Sequence, residues 1–248
     1  MKNAICFLTV KPDKSYFNLI EIFTKKKNYD VYICIDDNDH KLDFNYSKEI
    51  KIIKYPNIVP EKEGFIHTVM YFKNRSCSRD KALYYFSKNE NINKYTKIWF
   101  IEEDVFIPCF KTIKNIDKKY NKSNDLLCAN FIKFKNENDW CKFDTVRRDA
   151  TGRVKLPYYR SMICAIRVSN KMLQVIKNFA HKYKTLFMDE ALFTTLAKQN
   201  NLKINVIPEL KSILYRREWR YVDIKKENLY HPIKDINIQV HWRNKLKK

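Results

Sequence analysis

The sequence predicts a single α/β domain built on a mostly parallel sheet. In residues 1–108, short apolar runs alternate with amphipathic segments, a pattern typical of β-α units. The chain has 248 residues, of which 45% are hydrophobic, enough to bury one sizeable core. No internal repeat, low-complexity block or linker rich in Pro, Gly or Ser divides it.

The elements of the first half follow from its apolar runs. A continuous apolar run predicts a buried strand, and apolar residues at helical spacing predict an amphipathic helix. The predicted strands are Asn3–Val10, Asp30–Ile35, Glu49–Lys54 and Lys97–Ile101, and the predicted helices are Tyr16–Lys27 and Ser76–Ser87. Because parallel α/β sheets bind ligands at the carboxyl ends of their strands, the residues after these strands are candidates for a site.

The second half combines shorter strands with longer helices. Ser169 is a predicted N-cap for a helix that runs to Tyr183, and Asp189 begins another helix. Strands are predicted at Asp125–Phe131, Ser161–Val168, Lys203–Ile207 and Lys211–Tyr215, and a basic tail covers 235–248.

Glycine and cysteine content excludes several classes of site. The only two glycines, Gly64 and Gly152, are far apart, which excludes a P-loop, a G-x-G-x-x-G turn and a G-x-S-x-G elbow. The seven cysteines are scattered, mostly within apolar runs, so we expect unpaired thiols of a reducing compartment. The N-terminus lacks a signal-peptide pattern, and no stretch approaches the roughly 20 apolar residues of a membrane span. The expected location is cytoplasmic, without a transmembrane segment.

The charge is strongly positive, with 49 Lys and Arg against 28 Asp and Glu, or +21. Such an excess is compatible with phosphate binding on a nucleic acid. The lysines are spread over the whole chain, however, which favours an ordinary solvated surface. Arginines cluster at 147–167 and 216–220. Because arginine recognises phosphate and carboxylate, a phosphorylated or polyanionic small substrate explains these clusters as well as DNA does.

The strongest functional signal is the segment Glu102-Glu103-Asp104, which follows a buried strand and precedes a second apolar run. Divalent cations are bound by carboxylate oxygens, and a diphosphate needs such a cation to neutralise its charge. Since side chains alternate along a strand, Glu102 and Asp104 are expected on one face and Glu103 on the other. The alternative interpretation is a solvated acidic turn.

This combination resembles the GT-A-fold glycosyltransferases, which use a nucleotide sugar as donor. The resembling features are a β/α first half without glycine loops, an acidic end to the second strand and a buried strand that ends in E-x-D. The resemblance implies a GT-A-like, Rossmann-like mixed sheet, mostly parallel and flanked by helices. It also implies Mn²⁺ or Mg²⁺ bound by Glu102, Asp104 and a late histidine, His231, on the donor diphosphate. A glutamate in the first position of the motif departs from the commonest family pattern.

The same resemblance implies the remaining site residues. A nucleotide-sugar-binding half (1–108) would be followed by an acceptor-binding and catalytic half (109–234) and the basic tail. The implied donor-binding residues are Thr9, Val10, Asp36, Asp37, Arg79, Asp80, Glu103 and Lys234. For Arg79 and Asp80, ordinary charge pairing in the first turn of a helix is an equal alternative.

The pair Asp189 and Glu190 resembles the acidic helix start at which an inverting member of the family keeps its general base. Helix capping and interaction with the helix dipole are the structural alternative for this pair.

The sequence-based hypothesis is a metal-dependent hexosyl- or pentosyltransferase. A UDP-sugar is the expected donor, and a glycan or another hydroxyl compound the expected acceptor, with no specific nucleic-acid partner. One alternative is a two-metal nuclease that uses Glu102, Asp104, Asp189 and Glu190 as ligands. The other is a basic nucleic-acid-binding protein whose carboxylates are structural. The sequence does not assign an oligomeric state.

Overall fold

The computed structural model describes residues 2–25, 29–69, 75–121 and 124–247. The larger of its two sheets contains β1 (Lys2–Thr9), β2 (Tyr29–Ile35), β3 (Ile50–Ile53), β4 (Tyr95–Glu102), β5 (Leu126–Cys128), β8 (Ala165–Ser169) and β9 (Ile204–Val206). The smaller sheet contains β6 (Ile132–Phe134) and β7 (Tyr158–Arg160).

The helices alternate with these strands along the chain. They are α1 (Lys14–Ile20), α2 (Ile58–Lys62), α3 (Ser78–Ser87), α4 (Asn89–Ile92), α5 (Phe110–Lys119), α6 (Phe143–Ala150), α7 (Asn170–Tyr183), α8 (Asp189–Gln199) and α9 (Ile236–Lys245). Short 3₁₀ turns lie at Glu21–Phe23, Pro208–Leu210 and Tyr221–Asp223.

The strand order of the large sheet is β3-β2-β1-β4-β8-β5-β9. All neighbouring strands are parallel except β8, which runs antiparallel to both β4 and β5. The predicted α/β class, with a mixed and mostly parallel sheet, is therefore confirmed. From β1 the chain moves outward to β2 and β3 and returns to β4 on the other side of β1. The carboxyl ends of β1 and β4 thus form a switch point, where such sheets bind ligands.

Two hydrophobic cores lie on opposite faces of this sheet. Alternation along β1 sends Ala4 and Cys6 into one core and Ile5 and Phe7 into the other. Helices α3, α7 and α8 cover the first face, and α1 and α5 cover the second. Since both faces are covered, the edge of the sheet at the strand ends remains as the place for a site.

The structure differs from the predicted elements in several places. The first helix begins two residues early, because Asp13 caps it by accepting from the Tyr16 amide at 2.8 Å. It ends in a 3₁₀ turn, and residues 26 and 27 lie outside the described residues. Residues 211–215 do not form the predicted strand. The edge strand on that side of the sheet is β9, and within 211–215 Ile213 makes only an isolated bridge with His231.

The segment predicted as a basic tail contains helix α9. Gln239 and Arg243 of this helix are buried, although both are polar. Gln239 donates to the carbonyls of Glu103 and Ile233, and Arg243 donates to those of Ile107 and Leu19. The helix therefore supports the chain that follows β4.

No helix in the described parts of the chain is long and apolar enough to cross a bilayer.

Candidate active site

Two adjoining cavities open at the switch point. The β1 cavity, of about 420 Å³, is lined by the ends of β1 and β2 and by the first turn of α3. The α8 cavity, of about 360 Å³, is lined by residues before β8, by the start of α8 and by segments 215–216 and 231–234. Glu102, Asp104 and Lys234 line both cavities. The acidic segment after β4 is thus the border between them.

Glu102, Asp104 and His231, the three predicted metal ligands, lie together at this border. One ligand atom each of Glu102, His231 and Cys164 lie within 4.8 Å of one another. Asp104 Oδ2 lies 3.3 Å from His231 Nε2. Carboxylate oxygens and an imidazole nitrogen are ligands that Mn²⁺ accepts, so this donor set fits a divalent cation.

Backbone pairing holds His231 in place. Phe106 and Tyr230 exchange two backbone hydrogen bonds of 2.8 and 3.1 Å, and the Ile233 amide donates to the Asp104 carbonyl at 2.7 Å. The imidazole Nδ1 lies 2.6 Å from the Leu214 carbonyl, which places the proton on Nδ1 and leaves Nε2 facing Asp104. Burial alone would lower the pKa of His231, but the Asp104 carboxylate raises it above its ordinary value.

Arg79 connects the border to the α8 cavity. Its guanidinium donates to Glu102 Oε1 at 2.6 Å and to Asp189 Oδ2 at 2.8 Å. The side chain is only 2% exposed. Burial would lower the pKa of Arg79, but the Asp189 and Glu102 carboxylates outweigh this effect and raise it. Nη1 has no hydrogen-bond partner among the described residues. One buried cation therefore holds a predicted metal ligand and a predicted base in fixed positions.

Asp189 is the first residue of α8 and one of its buried side chains. Burial raises the pKa of Asp189 to about 7, and the neighbouring Glu102 charge adds to this effect, while Arg79 opposes it. Its Oδ1 accepts from the Glu190 amide at 2.8 Å. A carboxylate with a pKa near 7, at the wall of a cavity, is suited to accept a proton at neutral pH.

Glu190 lines the same cavity but faces a different partner. Its Oε1 lies 3.2 Å from Lys142 Nζ, and both side chains are less than one fifth exposed. The Lys142 ammonium also lies 5.5 Å from the centre of the Tyr215 ring. Asp189 and Glu190 are thus separated by their ion pairs, one with Arg79 and the other with Lys142.

The predicted donor-binding residues divide between the β1 cavity and other places. Thr9, Val10, Asp36, Arg79, Glu103 and Lys234 line the cavity. The Thr9 hydroxyl donates to Glu103 Oε2. Asp36 is buried beside the fully buried Lys81, whose ammonium donates to the Asp36 carbonyl.

Two predicted donor-binding residues do not line the cavity. Asp37 lies outside the β1 cavity lining and pairs with Lys11 at 3.0 Å. Asp80 is fully buried and accepts from the Cys77 amide and the Thr68 hydroxyl. These bonds fix the start of α3 through a capping interaction and not through charge pairing.

Three of the five arginines of 147–167 are paired with carboxylates of the fold. Arg147 pairs with Asp144, and Arg148 with Asp149. Arg167 is buried in an ion pair with Asp117. Each of these three guanidinium groups therefore forms an ion pair within the protein.

The residues of the α8 cavity that sequence reasoning missed include Lys142, Tyr215 and Cys164. Lys142 and Tyr215 lie in segments without a motif, and Cys164 was counted among the buried thiols. For Cys164, the only signal in the sequence is its place near the start of a predicted strand. This place does not show which residue of the adjacent strand lies beside it, because that depends on the strand register.

No protein-family model and no curated protein sequence matches this chain. Among solved structures, it is similar to the galactosyltransferase LgtC in complex with donor and acceptor sugar analogues. That match has 10% identity and a TM-score of 0.46, over 99% of this chain and 96% of the other.

The chain is also similar to 4-diphosphocytidyl-2C-methyl-D-erythritol synthase from Anaerococcus prevotii, with 10% identity and a TM-score of 0.47, over 100% and 99% of the two chains. A third similar structure is mouse xyloside xylosyltransferase 1 in its apo form, with 10% identity and a TM-score of 0.38, over 83% and 84%. The activity is therefore inferred below from the geometry of the site itself.

Proposed function

We propose that this protein is a metal-dependent glycosyltransferase that moves a sugar from a nucleotide diphosphate donor to a hydroxyl acceptor. The observation that carries the proposal is the pair of cavities that share Glu102, Asp104 and Lys234. A transfer between two substrates needs two adjoining binding spaces with the reacting bond at their border. Glu102, Asp104 and Lys234 lie at the border of the two cavities, where the diphosphate of the donor would lie in this proposal.

The β1 cavity is the proposed donor space. Thr9, Val10 and Asp36 would contact the nucleoside, at the strand ends where α/β sheets bind nucleotides. A divalent cation bound by Glu102, Asp104 and His231 would neutralise the diphosphate. Lys234 faces both cavities and would hold negative charge that develops on the leaving group.

The α8 cavity is the proposed acceptor space. A carboxylate oxygen of Asp189 would take the proton of the acceptor hydroxyl, because its raised pKa matches neutral pH. Arg79 holds this carboxylate in place through its 2.8 Å ion pair. Glu190, in an ion pair with Lys142, is the second candidate for the base, because the burial that raises the pKa of Asp189 favours Asp189.

The nuclease alternative has less support from the same geometry. Its second metal would need Asp189 and Glu190 as joint ligands, but these carboxylates face two different cations, Arg79 and Lys142. The lysines are also spread over the whole sequence, which favours an ordinary solvated surface.

A melting-temperature screen of nucleotide sugars, with and without Mn²⁺, tests the proposal. At a donor concentration about 100 times its Kd, binding stabilises the native state by about 2.7 kcal/mol. For a domain of this size, we expect a shift of roughly 5–10 °C, which requires Mn²⁺ and is largest for a UDP-sugar. A steeply salt-dependent shift with oligonucleotides, and none with any nucleotide sugar, would favour the nucleic-acid alternatives instead.

A further inference from the structure

The register of β4 and β8 places a cysteine beside the proposed metal ligands. Ile101 pairs with Ala165 in this antiparallel ladder, and the Glu102 amide donates to the Cys164 carbonyl at 2.8 Å. Glu102 and Cys164 are therefore cross-strand neighbours on adjacent strands. Cys164 is 8% exposed and lines the α8 cavity.

The thiol is within reach of an ion at the border. Its Sγ, a Glu102 carboxylate oxygen and a His231 ring nitrogen lie within 4.8 Å of one another. In the described parts of the chain, no other group of His, Cys, Asp and Glu side chains meets this criterion. The remaining cysteines therefore offer no comparable cluster.

We propose that Cys164 is a direct ligand of the cation in this site, and that its sulfur makes the site prefer thiophilic cations to Mg²⁺. The inference rests on the proposed function only for the presence of a bound cation. It goes beyond that function because the resemblance to known transferases implies carboxylate and imidazole ligands alone.

The chemistry of the donor set supports this preference. Mg²⁺ binds hard oxygen ligands and retains its water, so an imidazole and a thiolate give it little. Zn²⁺, Co²⁺ and Cd²⁺ accept sulfur together with nitrogen and oxygen, and affinity rises from Mn²⁺ through Co²⁺ for most such sites. When the cation binds, the S–H bond of Cys164 breaks, a sulfur–metal bond forms, and the proton leaves to solvent.

The test is a titration of the metal-free full-length protein with Co²⁺, followed by absorption spectroscopy. We expect a thiolate-to-cobalt charge-transfer band in the near ultraviolet that saturates at one equivalent. The band should be absent from Cys164→Ser and Cys164→Ala. It should persist in Cys128→Ser, which changes another buried thiol that does not line either cavity. Competition with Zn²⁺ should show a Kd raised at least about tenfold in Cys164→Ser, with Mg²⁺ binding unchanged.

Each other outcome has a separate meaning. If the wild-type protein binds one Co²⁺ without this band, the role of Cys164 is wrong while the proposed metal-dependent transfer stands. If it binds no divalent cation, both the ligand assignment and the metal requirement of the proposed function are overturned. Even if a Cys164 variant fails to fold, a wild-type spectrum without the band refutes the assignment. A band that persists in a Cys164 variant would come from another cysteine and would also overturn the assignment.

Discussion

The β1 cavity and the α8 cavity differ in how their walls are fixed. Much of the β1 cavity wall consists of buried strand ends, in which Thr9 is bonded to Glu103 and Asp36 lies beside Lys81. The outer wall of the α8 cavity contains Tyr215, which is 56% exposed. The proposed donor space is therefore built mainly on buried strand ends, although Val10 in it is 46% exposed, whereas the proposed acceptor space has the exposed Tyr215 in its outer wall.

This difference gives each group of residues a distinct expected effect. Residues at the border serve both spaces, so their loss should impair donor binding and transfer together. Residues that line only the α8 cavity and do not bind the proposed cation should affect transfer with little effect on donor binding. The following experiments test this division, from the largest expected effect to the smallest.

The largest effect is expected at the border itself. Asp104→Asn removes one carboxylate charge, and we expect it to abolish transfer and the Mn²⁺-dependent part of donor binding while the fold survives. Calorimetric donor titrations and a transfer assay measure both effects. Asp144→Asn makes the same change at an exposed ion pair in α6 and should behave like the wild type. Full activity in Asp104→Asn would falsify the metal assignment.

A slightly smaller effect is expected in the α8 cavity. Asp189→Asn keeps one oxygen, which can still accept from the Glu190 amide at the start of α8, while its NH2 group replaces the oxygen that faces Arg79. We therefore expect the fold to be retained with some loss of stability. Turnover should fall about 10²–10⁴-fold, because a general base acts in the transition state. Donor affinity should change little.

Glu190→Gln is the matched variant for this measurement. It should retain most of the turnover, because Lys142 already neutralises Glu190. If Glu190→Gln loses turnover and Asp189→Asn keeps it, the two roles are exchanged. If both keep the full rate, the acidic pair is structural and a retaining mechanism becomes the better hypothesis.

His231→Ala should weaken metal-dependent donor binding by about tenfold or more, since the Nε2 ligand is lost. The control is His181→Ala, an exposed histidine of α7 beside Glu63 that lies outside both cavities. A His231→Ala protein that melts at a lower temperature but binds the donor normally would make this histidine structural.

The smallest effect concerns stability and pH in the metal-free protein. The pKa of Asp189 is about 7 in the native state, whereas an unfolded aspartate titrates near about 3.9. The native state thus binds more protons between these values, so its stability falls as pH rises through this window. Asp189→Asn removes that loss.

Denaturant unfolding at about pH 5 and pH 8 measures this effect. The stability of Asp189→Asn relative to wild type should rise by more than about 1 kcal/mol between the two conditions. Asp144→Asn, at an exposed position, should show no such change. A pH-independent difference for Asp189→Asn would mean that its carboxyl group is not buried as described.

Much of the fold was predictable because its strongest signals are local. The long apolar runs of β1, β2 and β4 and the Ser169 cap of α7 are visible in the sequence alone. The prediction of a strand at 211–215 was wrong, because an apolar run also occurs where a chain packs on a core without a strand partner. Helix α9 was missed because it buries Gln239 and Arg243, the reverse of an amphipathic pattern.

The site was predictable where its residues share one short motif. The spacing of Glu102 and Asp104 indicates their common face, but the contacts of Arg79 with Glu102 and Asp189 join three distant segments. The start of α3 shows the same limit. Arg79 lines the β1 cavity, whereas the next residue, Asp80, is buried and caps the helix, and the sequence alone does not distinguish these roles. Strand register, which placed Cys164 beside Glu102, depends on pairing between residues more than sixty positions apart in sequence.

The buried polar contacts of α9 also have a consequence for biosynthesis. Gln239 bonds the carbonyl of Glu103, and Arg243 bonds that of Ile107, each across 136 residues of chain. On the ribosome, the acidic segment is therefore made long before the helix that holds it. The sheet can begin to form from its early strands, but the segment after β4 lacks the contacts of α9 until 236–245 have emerged. A nascent chain should thus acquire its fold first and its activity last.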